Sequence, residues 1–443
     1  MPLALTLALA TIPLTGHGED LLDVYREAYA NDPVLSQADI KRLSASEDVQ
    51  QSRSLLLPQA KGVISLKQAR DRNTDLNNSA PLLSDLARSR NASINTIQQV
   101  NHLARWAELS ASMSEADSQN ATYRAAIQEL YVRTAAAYFD VLIATDQLSF
   151  VIANEEALRQ AYEQADEHFK AGLSAITPMY LAKSAYEQAK ANTIQTTAKL
   201  SNTKEVLRQL TGKPAGNLKK LREDIPMIPP SPAIPGVWVQ LASTNNPALA
   251  AQRHKVQSAV RSIYSAKAAH LPTLNASVAH SKSDVWAAHR NNADVTPATN
   301  RRESGEIAVS LDIPIYSGGA TQSKVRQSTY HSDGARAALE SQRRRVTRDV
   351  LSLYRAAVTG IAQMEAAKAG VDSGRQALDA IRAGFTVGTQ TMLNVLTAIQ
   401  TLMQARSLYS QSRHQFLLNK LRLKQQAGTI DMKDMEEINA LLQ

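Results

Sequence analysis

The sequence predicts a mainly α protein with a β-barrel portion, built from two internal structural repeats that each supply two strands and a pair of long coiled-coil helices. Three observations predict it. The first is a turn that occurs twice: His168 to Ala182, HFKAGLSAITPMYLA, and Gly384 to Ala398, GFTVGTQTMLNVLTA, where Phe169 answers Phe385, Gly172 answers Gly388 and Thr177 lies near the place of Thr391. Asn31-Asp32-Pro33 recurs as Asn245-Asn246-Pro247, Leu57-Pro58 as Leu271-Pro272, and Leu210-Thr211-Gly212 as Gln426-Ala427-Gly428. The spacing stays at about 215 residues, too long for a solenoid, and fits one unit duplicated and fused. The second observation is that Leu103 to Lys170 contains neither Pro nor Gly. A helix of about 65 residues, rising about 1.5 Å each, is a rod roughly 100 Å long, which no compact domain contains. The third is the alternation of Glu306 to Tyr316: Ile307, Val309, Leu311, Ile313 and Ile315 on one face, Glu306, Ala308, Ser310, Asp312 and Pro314 on the other. Period 2 with this contrast means that one face meets something apolar and the other meets water.

Composition narrows the class. The chain has 443 residues, a net charge of +8 and no Cys. The length alone suggests two or three domains. The basic residues are scattered, and the one run, Arg343-Arg344-Arg345, lies within a helical stretch and reads as a solvated face, so no nucleic acid is expected. The absence of Cys fits an exported protein without disulfides and excludes a thiol nucleophile, a lipid-bearing Cys and Cys-based metal sites.

The elements follow in order. Leu3 to Leu14 is too short to span a bilayer as a helix and fits a signal-peptide core, with residues 1–18 removed and Glu19 as the mature start; the usual basic leader is missing. The first repeat then covers 19–236. Helices over 19–57 break at Pro33 and stop at Pro58; strands are expected at about 59–69 and 92–100, with a polar loop from Asp71 to Ser89. The long helix runs 103–170, and a return helix runs 178–210, with Pro178 suited to a first turn. Lys213 to Gly236 holds six of the sixteen prolines and links the repeats. The second repeat, 237–443, has helices over 237–270, strands at about 273–285 and 306–316 around a polar loop, a long helix over 320–383, a return helix over 391–426 and a short amphipathic C-terminal segment. In the second long helix Leu339, Val346, Val350, Leu353, Ala357, Met364, Ala367, Val371, Leu378 and Ile381 keep the three-four spacing of a coiled-coil seam, with Gly360 and Gly374 allowing close approach.

Four strands of about ten residues have the length of transmembrane β-strands but cannot close a barrel, because lipid forbids open edges and the smallest barrels need about eight. Several chains must contribute: two would give eight strands, three would give twelve.

Five motifs, in this order and spacing, carry a resemblance over essentially the whole mature length: Leu55-Leu56-Leu57-Pro58-Gln59, Thr134 to Leu142 (TAAAYFDVL), His270-Leu271-Pro272-Thr273-Leu274, Pro314 to Gly319 (PIYSGG) and Gly384 to Thr389 (GFTVGT). The chain resembles the TolC-type outer-membrane channel-tunnel proteins. The resemblance implies a homotrimer in which trimerisation completes a twelve-stranded barrel in outer-membrane lipid, continuing into a periplasmic tunnel of twelve helices. It implies passive export, for type I secretion and/or multidrug efflux, coupled through a periplasmic adaptor to an inner-membrane ABC or proton-driven pump. It also implies a gate at the tip. Gln390, Asn394 and Thr397 follow each other at i, i+4 and i+7; the matching family positions carry a basic and two acidic residues. Phe385 stands for a gate tyrosine, Thr177 matches, and Pro178 replaces an acidic gate residue, so the charged lock does not transfer. Ala171-Gly172-Leu173 and Val387-Gly388-Thr389 match the tip motif where an adaptor docks. Trp106, Trp286 and Tyr316 fall near strand ends, where an aromatic girdle would sit.

Enzyme readings find no footing: there is no GxSxG, P-loop, HExxH or GxGxxG, and the nine His show no metal-ligand spacing, so no cofactor is expected. The rival reading, a soluble periplasmic coiled-coil adaptor or structural interaction protein, explains the rods but neither the alternating strands nor the signal-like start.

Overall fold

The computed structural model describes residues 18–73, 83–288 and 299–443. The signal-like run from Leu3 to Leu14 lies outside them, as do the centres of both predicted polar loops. The elements in chain order are α1 (Leu21–Asn31), α2 (Pro33–Ser54), β1 (Gln59–Asn73), β2 (Leu83–Asn101), α3 (Leu103–Lys170), α4 (Ile176–Thr211), α5 (Pro235–Asn245), α6 (Pro247–Ala268), β3 (Thr273–Ala288), β4 (Thr299–Asp312), α7 (Ala320–Thr386), α8 (Met392–Ala427) and α9 (Met432–Asn439). They form two compact units. One gathers the residues up to Asp39 with Thr122–Leu249 and Gln342–Gln443; the other gathers Ile40–Ala121 and Ala250–Ser341.

The second unit holds one sheet in the order β1-β2-β3-β4, antiparallel throughout. The register shows which side chains share a face. The row Ala60, Thr96, Val278, Ile307 places Ile307 with the residues opposite it, and Ile64, Leu66, Ile94, Leu274, Val309 and Leu311 lie on the same face. The other face carries Lys61, Ser65, Ser93, Asn95, Asn275, Ser277 and Ser310, with Val63, Ile97 and Val285 among its apolar members. The strands outrun their expected bounds toward both hairpins. Asp71–Asn73, Leu83–Ser89 and Thr299–Ser304 are paired strand although the sequence reads them as loop, because ladder bonds join backbone groups and need no apolar alternation. At the opposite end β4 stops short: Ile313 and Ile315, expected in the strand, lie beyond Asp312, which pairs with Thr273, the first residue of β3. Pro314 has no N–H to offer a ladder, and Pro272 likewise precedes Thr273, so both chains leave the sheet there.

Helix contacts within this unit use small residues. Ser52 and Ser112 share a hydroxyl bond of 2.7 Å, the buried Ser118 donates to the Ala251 carbonyl at 2.9 Å, and Ser265 donates to the Ala104 carbonyl at 3.1 Å.

The first unit has the larger core. Tyr138 and Phe139 of α3 are fully buried among Leu21 and Val24 of α1, Leu207 of α4, Phe416 and Leu421 of α8 and Met435 of α9. α3 is long and apolar enough to cross a membrane by length and composition, yet Leu130, Tyr138, Phe139 and Leu142 are used in this core. The duplicated Asn-Asx-Pro motif explains itself here. Asp32 accepts from the Leu35 N–H at 2.9 Å and Asn246 from the Leu249 N–H at 3.1 Å, each capping a helix that opens with Pro. Each junction also seats the C-cap glycine of its repeat's return helix: Gly212 (φ 77°) beside Asn31 and Gly428 (φ 75°) against Asn245. α9 closes the unit with an Asp431/Asp434 capping box and an ion pair from Lys424 to Asp434. The α7 seam is packed as its spacing predicts, with Val346, Val350, Ala357, Met364, Ala367 and Leu378 buried. A Cβ at Gly360 would touch Phe416 at 3.4 Å, and one at Gly374 would touch Leu402 at 3.5 Å, so the two glycines mark close approaches of α7 to α8.

Candidate functional site: twin turns and an apolar sheet face

The predicted site residues fall into two places. The first is the pair of turns, α3 to α4 and α7 to α8. Both are glycine-capped helix ends of one design. Gly172 (φ 72°) donates to the Phe169 carbonyl at 3.0 Å and Leu173 to the His168 carbonyl at 2.9 Å; Gly388 (φ 80°) donates to the Phe385 carbonyl at 3.1 Å and Thr389 to the Gly384 carbonyl at 2.8 Å. These crossed bonds satisfy the last carbonyls of each long helix, and the left-handed residue between them is glycine because a side chain there is strained. An apolar side chain beside each glycine points into solvent: Leu173, which follows Gly172, is 75% exposed, and Val387, which precedes Gly388, is 74% exposed. Ala171 is exposed as well, and Thr389 turns its hydroxyl back to the Gly384 carbonyl at 3.0 Å.

Below the turns a four-helix cluster is packed. Leu158, Ala161 and Ala165 of α3, Met179 and Ala182 of α4, Leu378 of α7, and Met392, Val395, Leu396 and Ile399 of α8 are buried together. Phe385 packs on this cluster and stacks on His168 with ring centroids 6.0 Å apart. It therefore stands apart from the exposed polar stripe with which the sequence grouped it. Gln390 precedes α8, whose N-cap is Thr391, so the predicted helical stripe is a true helix face only at Asn394 and Thr397. Gln390 is nevertheless tied to it: the Asn394 amide donates to Gln390 Oε1 at 2.7 Å. Thr397 spends its hydroxyl on the Leu393 carbonyl at 2.8 Å. Thr177 is exposed in the first turn of α4, which starts at Ile176, before the expected Pro178. Neither α4 nor α8 has an acidic residue in its first turn, so both helix starts are uncharged. His168 was not picked out from the sequence; its position directly before Phe169, in the heptad that enters the turn, was the available signal.

The second place is the apolar sheet face. Ile307 (82% exposed), Val309 and Leu311 lie open to solvent in the single chain, beside Ile64, Leu66 and Ile94. Ile313 and Ile315 are exposed too, past the strand end. A contiguous apolar patch of this kind on a sheet needs a partner, and lipid is one that asks for no polar group. Above it on the same face the sequence reading missed a charged cluster: the buried Asp284 carboxylate accepts from Arg90 Nη2 at 2.6 Å and from Arg301 Nε at 2.8 Å. Its three members come from three strands, so no local pattern announces it. Among the described residues, no group of three or more His, Cys, Asp or Glu side chains is placed to hold a metal.

An open four-stranded sheet with one apolar face, joined to helices of 68 and 67 residues that end in twin glycine-capped turns, defines a subunit of an outer-membrane channel with a long periplasmic part. A family model described as outer membrane efflux protein matches residues 24–213 and again 238–429, one match to each repeat. The chain is 31% identical over 449 residues to the outer membrane protein TolC of Escherichia coli strain K12, covering 100% of this chain and 89% of that protein. It is 28% identical over 320 residues to the alkaline protease secretion protein AprF of Pseudomonas aeruginosa, covering 72% and 65% respectively. The crystal structure of the Campylobacter jejuni CmeC outer membrane channel has the same fold, with a TM-score of 0.77 at 18% identity over 96% of this chain and 90% of that one. The chain belongs to the outer membrane efflux protein family and is an outer-membrane exit duct.

Proposed function

We propose that three copies of this chain close a twelve-stranded barrel in the outer membrane, and that the twin turns form the periplasmic tip at which the duct is gated and docked. Among the described residues β1 and β4 each leave one edge unpaired, and lipid tolerates no open edge, which supports closure by further copies. In that assembly Ile307, Val309 and Leu311 face acyl chains, with Ile313 and Ile315 just below the strand. Ala171-Gly172-Leu173 and Val387-Gly388-Thr389 receive a periplasmic adaptor that links the duct to an inner-membrane ABC or proton-driven pump. Asn394 and Thr397 line the constriction with Gln390; Thr177 stands on the neighbouring helix start, and Phe385 acts from beneath as packing. The duct itself is passive and not an enzyme. Its cargo leaves by type I secretion and/or multidrug efflux, and the likeness to a protease secretion protein favours a protein among the cargoes.

The observation that carries the docking role is the exposure of Leu173 and Val387 on turns held rigid by crossed backbone bonds. A rigid apolar knob has little ordering entropy to lose on docking. Leu173→Asp with Val387→Asp is expected to abolish export in cells while the protein still reaches the outer membrane as an oligomer. Export unchanged by the double variant would refute docking at the turns.

A further inference from the structure

We propose that the outward sheet face carries, above its apolar band, a binding site for the phosphates of a phosphorylated glycolipid of the outer leaflet, formed by Arg88, Arg90, Lys282 and Arg301. The inference rests on the reading that Ile307, Val309 and Leu311 face lipid. The register puts the four cations on that same face: Arg88 lies opposite Trp286, Arg90 opposite Asp284 and thence Arg301, and Lys282 opposite Glu303. The opposite ends of all four strands lead directly into helices, α2 into β1, β2 into α3, α6 into β3 and β4 into α7. The helices are the periplasmic part, so the charged rows lie toward the outer leaflet.

The heights agree. Arg301 is ten residues from Leu311 along β4, roughly 34 Å of strand at about 3.4 Å each. At the usual tilt of about 40° that is roughly 25 Å of height, the thickness of the apolar band of a membrane barrel. The boundary between apolar and charged positions crosses the pairing rows obliquely, Leu66 of β1 sharing a row with Arg90, Asp284 and Arg301, as tilted strands require. Trp286, an aromatic side chain suited to the headgroup level, sits in the outermost of these rows.

The cluster is built for an anion rather than merely neutralised. Among the described side chains of this face, four cations meet two anions, Asp284 and Glu303, with His280 bonded to Glu303 at 3.3 Å. Asp284 holds Arg301 by Nε and Arg90 by one Nη, and Gln68 holds Arg88 by its Nε at 3.0 Å. Each bond fixes a guanidinium plane and leaves the other N–H groups of the fork for an incoming oxygen, the geometry that suits phosphate. Cations near an anionic lipid surface contribute additively to its attraction.

The test uses the purified oligomer in detergent and native mass spectrometry, with bis-phosphorylated lipid A, the same lipid dephosphorylated, and inorganic phosphate as probes. The oligomer is expected to retain the bis-phosphorylated lipid in preference to the dephosphorylated one, and inorganic phosphate is expected not to displace it. Lys282→Gln with Arg301→Gln should weaken retention about fivefold per charge removed, at unchanged oligomer mass. Arg302→Gln, on the opposite face, should leave retention as it was. Equal retention of the dephosphorylated lipid, or of either lipid by the double variant, would overturn the site, as would displacement by free phosphate. A single cysteine at Val309, labelled with an environment-sensitive dye in brominated lipid, separates the two readings. Quenching there without phosphate selectivity leaves the lipid face standing and removes the site; no quenching removes the lipid face itself.

Discussion

Asp32 shows how one side chain can serve a cap and a long-range contact at once. Its carboxylate caps α2 and accepts from Arg133 at 2.5 and 3.2 Å, while its own side chain is almost fully buried. Burial would raise its pKa; the Arg133 bonds, the Leu35 N–H and the Arg133 charge outweigh that and hold it below the ordinary carboxylate value. A folded pKa below the unfolded one means stability that is present above about pH 4 and lost as the pH falls through the lowered folded value. Asp32→Asn keeps a capping oxygen, as Asn246 does in the other repeat, but strips Arg133 of its anion. The variant should lose about 1–3 kcal/mol at neutral pH, in the range of hydrogen bonds to charged groups. The gap should narrow as the pH falls below the ordinary carboxylate value and close once the wild-type carboxylate is itself protonated. Thermal unfolding in detergent, followed from pH 7 downward, measures it, and a gap that stays constant while the wild-type Asp32 protonates would mean that the ion pair is not its source. The Asn-Asp-Pro motif was legible as a helix stop because capping is local. Arg133 was not legible as its partner, since nothing local couples residues a hundred positions apart.

At the scale of elements, the two repeats supply an internal control. Gly212 and Gly428 end corresponding helices in the left-handed region, but a Cβ at Gly212 would meet Asn31 at an ordinary 3.5 Å, whereas one at Gly428 would lie 2.4 Å from the Asn245 carbonyl oxygen. Gly212→Ala should therefore cost about 1–2 kcal/mol of backbone strain. Gly428→Ala should cost roughly twice that or more, because backbone cannot step aside as a side chain can. Comparing the unfolding midpoints of the two variants decides it, and equal losses would mean that the close approach is relieved. The strands make a second test. Leu311 pairs with Leu274 on the apolar face and Ser310 with Asn275 on the other. Leu311→Arg should cost roughly 2–4 kcal/mol and lower the yield of assembled protein in outer membranes, while Ser310→Arg assembles normally; equal yields would contradict the facing. The apolar half of β4 was legible because alternation exposes it. The hairpin ends of β1, β2 and β4 were not, because Asp71–Asn73, Leu83–Ser89 and Thr299–Ser304 are held by neighbouring backbone rather than by a pattern of their own.

In the proposed gate, the duct is shut at the twin turns when idle, and the residues there restrict how. Family relatives are expected to hold the tip with charge, but the first turns of α4 and α8 carry no acidic residue and Asn394 is engaged by Gln390. Neutral hydrogen bonds are weaker than charge-assisted ones, so we propose that closure rests mainly on the buried cluster around Leu378, with Ile381 and Phe385 packed against it. A stripe without fixed charge offers nothing to hold a multivalent cation. Single-channel current in planar bilayers should accordingly be insensitive to a trivalent cation added on the tip side. Asn394→Asp should create a block, because symmetric copies would bring one carboxylate each to the same constriction, and a ring of carboxylates binds a trivalent cation far more tightly than one does. The new charge also loses the amide donor to Gln390, so Asn394→Ala serves as the control and should remain unblocked. Strong block of the wild type at micromolar cation would place an acidic ring elsewhere in the duct and remove Asn394 from the constriction.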